Sequence, residues 1–380
     1  MSRARQTLKR GRPDHEHNGD HKLQVVHVGI VGDYPGGMAQ VVREYLSWQY
    51  DLVKVTGWPT ASRKRDPWSP FRTLIALIRL IGYRLAQRRV VFVVHMSQRG
   101  SFIREGLFVR ITRRLGFRVA IHLHGSEFVS FANANEHLVF SVMSNAETIF
   151  TLTEESSDTI TRIFAGTTNC PRIVRVPNAV TIPEELPTKD RIVLMAGELG
   201  ERKGTDTLLE AWSSVNMDFP GWTLVLVGPD SGGFATKLQR IKSVTYLGPR
   251  PRKYVLELEA TAAIAVLPSR HEALPMFLIE SMARCCAIVA TPVGQVRELV
   301  GNGGLLVEPG DNAGLAETLR SLMQSEVRRV KLGVQGRDRI IARYSEDVVK
   351  VLLEYEWRAL ERAGYGGTPE LLAGNGERRP

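Results

Sequence analysis

Ser269-Arg270-His271-Glu272-Ala273-Leu274-Pro275-Met276-Phe277-Leu278-Ile279-Glu280-Ser281-Met282-Ala283 carries more information than any other stretch of this chain. It holds two carboxylates eight residues apart, Glu272 and Glu280, with a proline between them. Pro275 suits the first turn of a helix, where its missing N–H costs no hydrogen bond. The free N–H groups of that turn, near Met276 to Leu278, point outward at the positive end of the helix dipole, which makes a socket for a phosphate or diphosphate. Glu272 precedes the helix and Glu280 lies inside it, so the two carboxylates flank the socket from different directions. A diphosphate with a sugar on one side and a ribose on the other fits that arrangement. Were Glu272 a plain cap and Glu280 a solvated surface residue, the apolar setting of Glu280 among Phe277, Leu278, Ile279, Met282 and Ala283 would be unexplained. An unpaired Glu is rarely buried.

Outward from this segment the chain alternates strand and helix. Leu23 to Val31 predicts a buried strand, followed by the glycine-rich turn Gly32-Asp33-Tyr34-Pro35-Gly36-Gly37 and a helical pattern from Met38 to Trp48. Helices are expected near 71–88 and 101–115, with strands at Val90–His95, Arg118–His124, Thr148–Leu152 and Ile173–Val176. Pro183-Glu184-Glu185-Leu186-Pro187 predicts a linker. The alternation then restarts, with strands at Arg191–Ala196, Trp222–Val227, Val244–Leu247, Ala263–Leu267 and Ala287–Ala290, a helix over 204–216, and a last helix from Ser345 to Leu360. Such alternation implies two parallel-sheet, Rossmann-like α/β domains, with sites at the C-terminal ends of the strands. The expected boundaries are a basic tail at 1–20, domains at 21–182 and 188–344, a helix at 345–362 and a second tail at 363–380. Both tails have the charged or Gly- and Pro-rich composition of disordered segments.

The 380 residues carry a net charge of +10, unevenly spread: residues 60–118 hold 14 Lys and Arg against 2 Asp and Glu. A patch of that kind implies an anionic partner. Phe71, Leu74, Ile75, Leu77, Ile78, Ile81 and Leu85 are interleaved with Arg72, Arg79, Arg84, Arg88 and Arg89. Phe102, Ile103, Leu107 and Phe108 stand beside Arg104, Arg110, Arg113 and Arg114. Apolar faces with basic edges can lie on an anionic membrane; the same apolar residues can equally face the sheet as ordinary core. The three cysteines, Cys170, Cys285 and Cys286, show no metal-binding spacing, which suggests a reducing compartment and no disulfide framework. The first 20 residues lack the apolar core of a secretory signal, and no run of 18 apolar residues predicts a membrane span.

In these motifs the chain resembles the family-4 retaining glycosyltransferases, which use nucleotide-sugars and have the two-Rossmann-domain GT-B fold. The resemblance runs over about residues 23–362 and is most specific in the paired-Glu segment. Gly36-Gly37, His124-Gly125-Ser126-Glu127, Val176-Pro177-Asn178-Ala179-Val180, Gly197 to Gly204 with Lys203, and Thr291-Pro292-Val293-Gly294 accompany it in order. It implies two domains facing across a cleft, the donor held by the C-terminal domain, the acceptor by the N-terminal one, and a final helix crossing back.

The resemblance assigns Lys203 to the departing diphosphate, a role that a cation at the mouth of the domain can fill. It makes Glu280 the ribose ligand, since an ionised carboxylate accepts two hydroxyl bonds at once. Glu272 becomes the sugar-side carboxylate, and Leu274, Pro275 and Met276 offer backbone to the donor. His124 ends a strand, precedes Gly125 and would contact the donor sugar; His122 points the same way by strand alternation. Gly36 and Gly37 offer bare backbone for close approach. Many family members carry Arg after the first glycine of the Lys203 motif, where this chain has Glu198; Arg202 would supply a second cation if its side chain turned inward. Two glutamates split between sugar and ribose do not face each other across one bond, as hydrolysis requires at about 5–9 Å. No Asp-x-Asp occurs to hold Mn or Mg, so no obligate metal or other cofactor is expected.

The expected partners are a nucleotide-sugar and a saccharide or lipid-linked saccharide, at the inner face of the cell membrane, with the protein otherwise cytoplasmic. Three rivals stand beside this. A non-catalytic sugar-nucleotide-binding relative is suggested by Glu198. A sugar-nucleotide epimerase shares the fold but leaves the basic N-terminal face unexplained. A nucleic-acid binder is suggested by charge alone, without a recognisable module.

Overall fold

Val90–Met96, Val-Val-Phe-Val-Val-His-Met, has every side chain buried. A strand with no wet face belongs in the interior of a parallel sheet covered by helices on both sides. Ala262–Leu267 has the same character in the second half of the chain. The computed structural model describes residues 22–31, 37–61, 66–86, 89–238, 241 and 243–362, and builds one such sheet around each of these strands.

The first domain runs β1 (Leu23–Ile30), α1 (Gly37–Ser47), β2 (Val53–Ala61), α2 (Ser69–Leu85), β3 (Val90–Met96), α3 (Gly100–Arg114), β4 (Arg118–Leu123), α4 (Phe128–Ala134), α5 (Glu136–Met143), β5 (Thr148–Thr151), α6 (Glu154–Ile163) and β6 (Arg172–Arg175). The second runs β7 (Asp190–Ala196), α7 (Thr205–Val215), β8 (Thr223–Val227), α8 (Ala235–Leu238), β9 (Val244–Tyr246), α9 (Arg252–Thr261), β10 (Ala262–Leu267), α10 (Met276–Ala283), β11 (Ala287–Ala290), α11 (Val296–Val300), β12 (Gly304–Leu306), α12 (Asn312–Gln324) and α13 (Glu326–Arg343). The helix α14 (Glu346–Arg362) follows. Both expected tails and Gly36 lie outside the described residues.

The strand orders are β2-β1-β3-β4-β5-β6 and β12-β11-β10-β7-β8-β9, all parallel. In the second sheet the order reverses between β7 and β10. In the first it reverses between β1 and β3. Helices leave such neighbouring strands in opposite directions, which opens a crevice at their C-terminal ends where ligands bind.

The strand β2 is absent from the sequence expectation. It contains Gly57 and Pro59, residues that weaken a strand pattern, and Pro59 is tolerated because β2 is the sheet edge. Pro275 also differs slightly: it stands immediately before α10 in extended conformation, so the first turn begins at Met276.

Phe92, Phe102, Phe108, Val119 and Ile121 pack one face of the first sheet against α2 and α3. Each such side chain contributes about 1.5–3 kcal/mol by leaving water. The other face is covered by α1 and α14, whose Leu353 and Trp357 are fully buried. The helix α14 therefore lies on the first domain, although it follows the second in sequence. Val180 and Ser345 pair where the chain crosses between domains, so the two crossings run side by side.

Candidate active site at the interdomain cleft

The strand β7 ends at Ala196 and hands the chain to Gly197–Gly204; β10 ends at Leu267 and hands it to Ser269–Pro275. The two segments meet at the point where the strand order reverses. The first makes a single 3₁₀ turn over Glu201–Lys203 and ends at Gly204 with φ +71°. A Cβ there would stand 1.9 Å from the Pro268 oxygen, so glycine alone allows the close approach. The Arg270 N–H donates to the Arg202 oxygen at 2.8 Å, and the Arg270 guanidinium clamps Asp206 at 2.6 and 2.8 Å. This clamp holds the Asp206 carboxyl below its ordinary range.

Lys203 and Glu272 are thereby brought together. Lys203 Nζ donates to Glu272 Oε1 at 2.5 Å, and the Ser269 hydroxyl donates to the same oxygen at 2.7 Å. Glu272 caps nothing; its side chain is nearly buried and spent on Lys203. Its backbone is held from behind by Gly294, with φ +54°, where a Cβ would fall 2.2 Å from the Glu272 oxygen. Ala273 O accepts from Gln295 N–H at 2.9 Å, and Leu274 O accepts from the Asn178 amide at 2.9 Å. The Leu274, Pro275 and Met276 side chains are buried, so only the backbone of this turn can meet a ligand. No side chain caps the N-terminus of α10.

Glu280, one turn from the end of α10, is only 5 % exposed. It accepts from Arg252 Nη2 at 2.7 Å and Nε at 3.1 Å, and from Gln40 Nε2 at 2.6 Å. Gln40 belongs to α1 of the other domain, four residues before Glu44, which pairs with the same Arg252 guanidinium. Glu280 therefore makes a contact between the two domains. Burial pushes the Glu280 and Glu44 carboxyls up, against the opposing pull of Arg252. Burial alone would lower Arg252, but Glu280 and Glu44 outweigh it and hold its proton more firmly.

Gly37 opens α1 and is exposed, with nothing where its Cβ would lie. Arg202 turns toward the mouth of the domain: Nη2 lies 3.8 Å from Glu198 and Nη1 donates to the His271 oxygen at 3.2 Å. Glu198, set where the family pattern has a cation, thus lies at the edge of ion-pair range of one, and both side chains are exposed enough for the pair to be weak.

His124 stands just beyond β4, partly exposed, with its backbone N–H donating to the Met96 carbonyl oxygen at 3.0 Å. His122 is fully buried on the same face and has no hydrogen-bond partner at either nitrogen, so of the two only His124 is partly exposed. Burial lowers the His27 and His124 imidazoles to about 3 and holds His95 and His122 well below their ordinary range. All four are neutral at pH 7.

Gln40, Glu44, Arg252 and Asn178 went unassigned in the sequence. Gln40 and Glu44 share one face of α1, three and seven residues after Gly37, and that spacing was the available signal. Arg252 offered none, because its partners lie 28 residues away on α10 and across the cleft.

Residues 181–339 match the family model described as glycosyl transferases group 1. A D-inositol 3-phosphate glycosyltransferase of Corynebacterium urealyticum is 27 % identical over 184 residues, covering 44 % of this chain and 43 % of that one. The match thus spans less than half of that relative's length. Among solved structures, the Anabaena protein Alr3699/HepE in complex with UDP superimposes with a TM-score of 0.69 at 14 % identity, covering 89 % of this chain and 100 % of that one. The sucrose-phosphate synthase of Thermosynechococcus elongatus gives 0.66 at 17 % identity, over 90 % and 100 %. Over residues 181–339 the C-terminal domain is thus similar to the glycosyl transferases group 1, and the two parallel sheets of the chain have the GT-B fold.

Proposed function

We propose that this chain is a retaining, family-4-type glycosyltransferase that moves a sugar from a nucleotide-sugar to a lipid-linked saccharide in cell-surface polysaccharide assembly. The observation that carries this is the convergence of Lys203, Glu272 and Glu280 on the β7/β10 crevice, facing α1 of the other domain. As the sugar–phosphate bond breaks, negative charge grows on the diphosphate. Lys203 and the uncapped first turn of α10 stabilise that charge without a metal ion. Donor binding draws Lys203 from Glu272 toward the phosphate, leaving the carboxylate for the sugar side. Glu280 exchanges Gln40 for the ribose hydroxyls, while Arg252 keeps the carboxylate ionised. With the leaving diphosphate on the same face as the acceptor, it helps to deprotonate the incoming hydroxyl, which gives retention.

The lipid-linked acceptor is supported by the outer face of α2 and α3. Trp68, Phe71, Leu74, Ile78, Ile81 and Leu85 are each more than half exposed, as are Ile103 and Leu107. Exposed Arg79, Arg84 and Arg114 lie among them. A stripe of this composition fits an anionic leaflet, with the acceptor entering the N-terminal domain from the membrane. No helix among the described residues is long and apolar enough to cross a membrane. Attachment is therefore proposed as peripheral, at the inner face, with the catalytic cleft in the cytoplasm.

The test is calorimetric titration with UDP and GDP, in parallel on Glu280→Ala. The Anabaena neighbour was solved with UDP, with UDP and glucose, and with UDP-glucose, which favours UDP as the first choice. Micromolar binding of one nucleotide, weakened about tenfold or more by the substitution, is expected. Transfer should persist in excess chelator. Binding of neither nucleotide would favour a non-catalytic role, with Glu198 as its cause; donor consumption without an acceptor would favour an epimerase.

A further inference from the structure

Four imidazoles share one face of the N-terminal sheet, and the transfer proposed above uses none of them, although the resemblance sets His124 against the donor sugar. His27 lies on β1, His95 on β3, His122 on β4 and His124 just beyond it. His95 stands opposite His122 in the sheet register, and His27 stands opposite Val93, one alternation before His95. Three of the four form a continuous chain. His27 Nδ1 lies 2.6 Å from His95 Nε2, and His95 Nδ1 lies 2.8 Å from His124 Nε2.

The nitrogens of His95, His122 and His124 also lie within 4.8 Å of one another, close enough to suggest a metal site. The ring planes argue against it. His122 stacks on His124 at 4.4 Å between centroids and 24° between planes, and on His95 at 5.2 Å and 27°. A zinc ion takes each lone pair in the plane of its ring, with the pairs converging tetrahedrally. Stacked, near-parallel rings aim their lone pairs side by side. Both nitrogens of His95 are, besides, already engaged by other histidines.

A neutral imidazole has one N–H and one lone pair. Each N···N contact needs one of each, so a single choice of direction fixes three tautomers. The buried end decides the direction. His27 Nε2 has no partner, and beside it the Trp357 N–H and the Tyr45 hydroxyl are unpartnered as well. A buried orphan N–H is rarer than an under-used acceptor, and the Trp357 ring packed against His27 carries an N–H and no acceptor. His27 Nε2 therefore keeps the lone pair and Nδ1 the proton. His27 Nδ1–H then donates to His95 Nε2, and His95 Nδ1–H donates to His124 Nε2.

We propose that His95 is a positioning residue that occupies the Nε2 lone pair of His124 and so makes His124 a fixed Nδ1–H donor toward an oxygen of the bound nucleotide-sugar. His122 adds a second constraint, holding the His124 ring plane by stacking. The identity of the oxygen depends on the donor site proposed above; the tautomer does not.

The test is long-range 1H–15N NMR of the full chain labelled in histidine, with steady-state kinetics on His95→Phe and His95→Asn. In the unmodified protein His124 should show a protonated Nδ1 and a hydrogen-bonded, unprotonated Nε2. His95→Phe removes the donor, so His124 becomes a mixture of tautomers and kcat falls about tenfold with little change in the KM for the sugar donor. His95→Asn can still donate and should restore both. A wild-type His124 protonated at Nε2 overturns the inference, as does stoichiometric Zn2+ binding that shifts the nitrogens of His95, His122 and His124 together. So does an unchanged kcat in His95→Phe once its tautomer is lost. Equal losses in the two variants point to packing alone and also overturn it. Absence of any turnover in the unmodified protein sinks the glycosyltransferase proposal while the tautomer measurement still decides this one.

Discussion

Arg252 Nη2 lies 2.7 Å from Glu280 Oε1, and the same guanidinium reaches Glu44 on the opposite wall of the cleft. Glu280 is buried, so its charge depends on that cation. Removing it should raise the Glu280 carboxyl further. A ribose hydroxyl needs the ionised form, so nucleotide binding to Arg252→Ala should weaken at neutral pH and recover as pH rises. About tenfold weaker binding at pH 6.5, with a smaller deficit at pH 8.5, is expected from calorimetry. Binding that is unchanged or tighter would mean that Arg252 merely competes with ribose for the carboxylate.

Lys203 and Glu272 form a second, partly buried pair, and each is the other's charge partner. Lys203→Met should lower kcat by about 100- to 1,000-fold, because a cation at a developing diphosphate acts mainly in the transition state. It should also cost about 1–3 kcal/mol of stability, since Glu272 is left with Ser269 as its remaining side-chain donor. Adding Glu272→Gln should return part of that stability without returning activity. Strict additivity in urea denaturation of the single and double variants would show that the 2.5 Å contact carries no coupling energy.

The apolar stripe on α2 gives a prediction that does not touch the cleft. Phe71, Leu74, Ile78 and Ile81 point to solvent, whereas Ala76 and Leu80 point to the sheet. Changing the first four to serine should leave the melting temperature nearly unaltered while abolishing flotation with anionic vesicles. Arg79→Glu with Arg84→Glu should weaken flotation chiefly at low salt, at about 1 kcal/mol per charge. Wild-type protein that stays unbound to anionic vesicles at low salt would sink the membrane proposal.

Much of this arrangement was legible in the sequence because local pattern and chemistry coincide. The burial of Glu280 follows from the apolar residues on either side of it, and the place of Lys203 at the mouth of the second domain follows from Gly204 after a strand; its contact with Glu272, 69 residues away, does not. What was hidden has a common cause. The helix α2 is apolar on both faces, so its period identifies a helix without saying which face is wet. The strand β2 hides behind Gly57 and Pro59. Arg252 and Asn178 act on backbone and carboxylates distant in sequence, and the contacts of Arg252 with Glu44 and of Asn178 with Leu274 exist only once the two domains have met.

His122 gives the last prediction, and its sign can be worked out in full. The imidazole is fully buried, unpartnered at both nitrogens and held well below its ordinary value of 6.5 by burial and then by its histidine neighbours. Below pH 6.5 the unfolded chain binds a proton there that the folded chain refuses, so each step down in pH favours unfolding. Above pH 6.5 both states are neutral and the residue contributes no pH dependence. Phe has the same shape class and no proton to bind. His122→Phe should therefore flatten the acid limb of the stability curve by one proton, about 1.4 kcal/mol per pH unit between pH 6 and 5, and change little at pH 8. The buried Glu44, Glu259 and Glu280 carboxyls, all raised by burial, slope the opposite way in acid but are common to both proteins and cancel in the comparison. Denaturant midpoints measured at pH 5, 6 and 8 decide it: parallel curves for the two proteins would show that His122 takes up its proton in the folded state, and that the imidazole cluster is open to water.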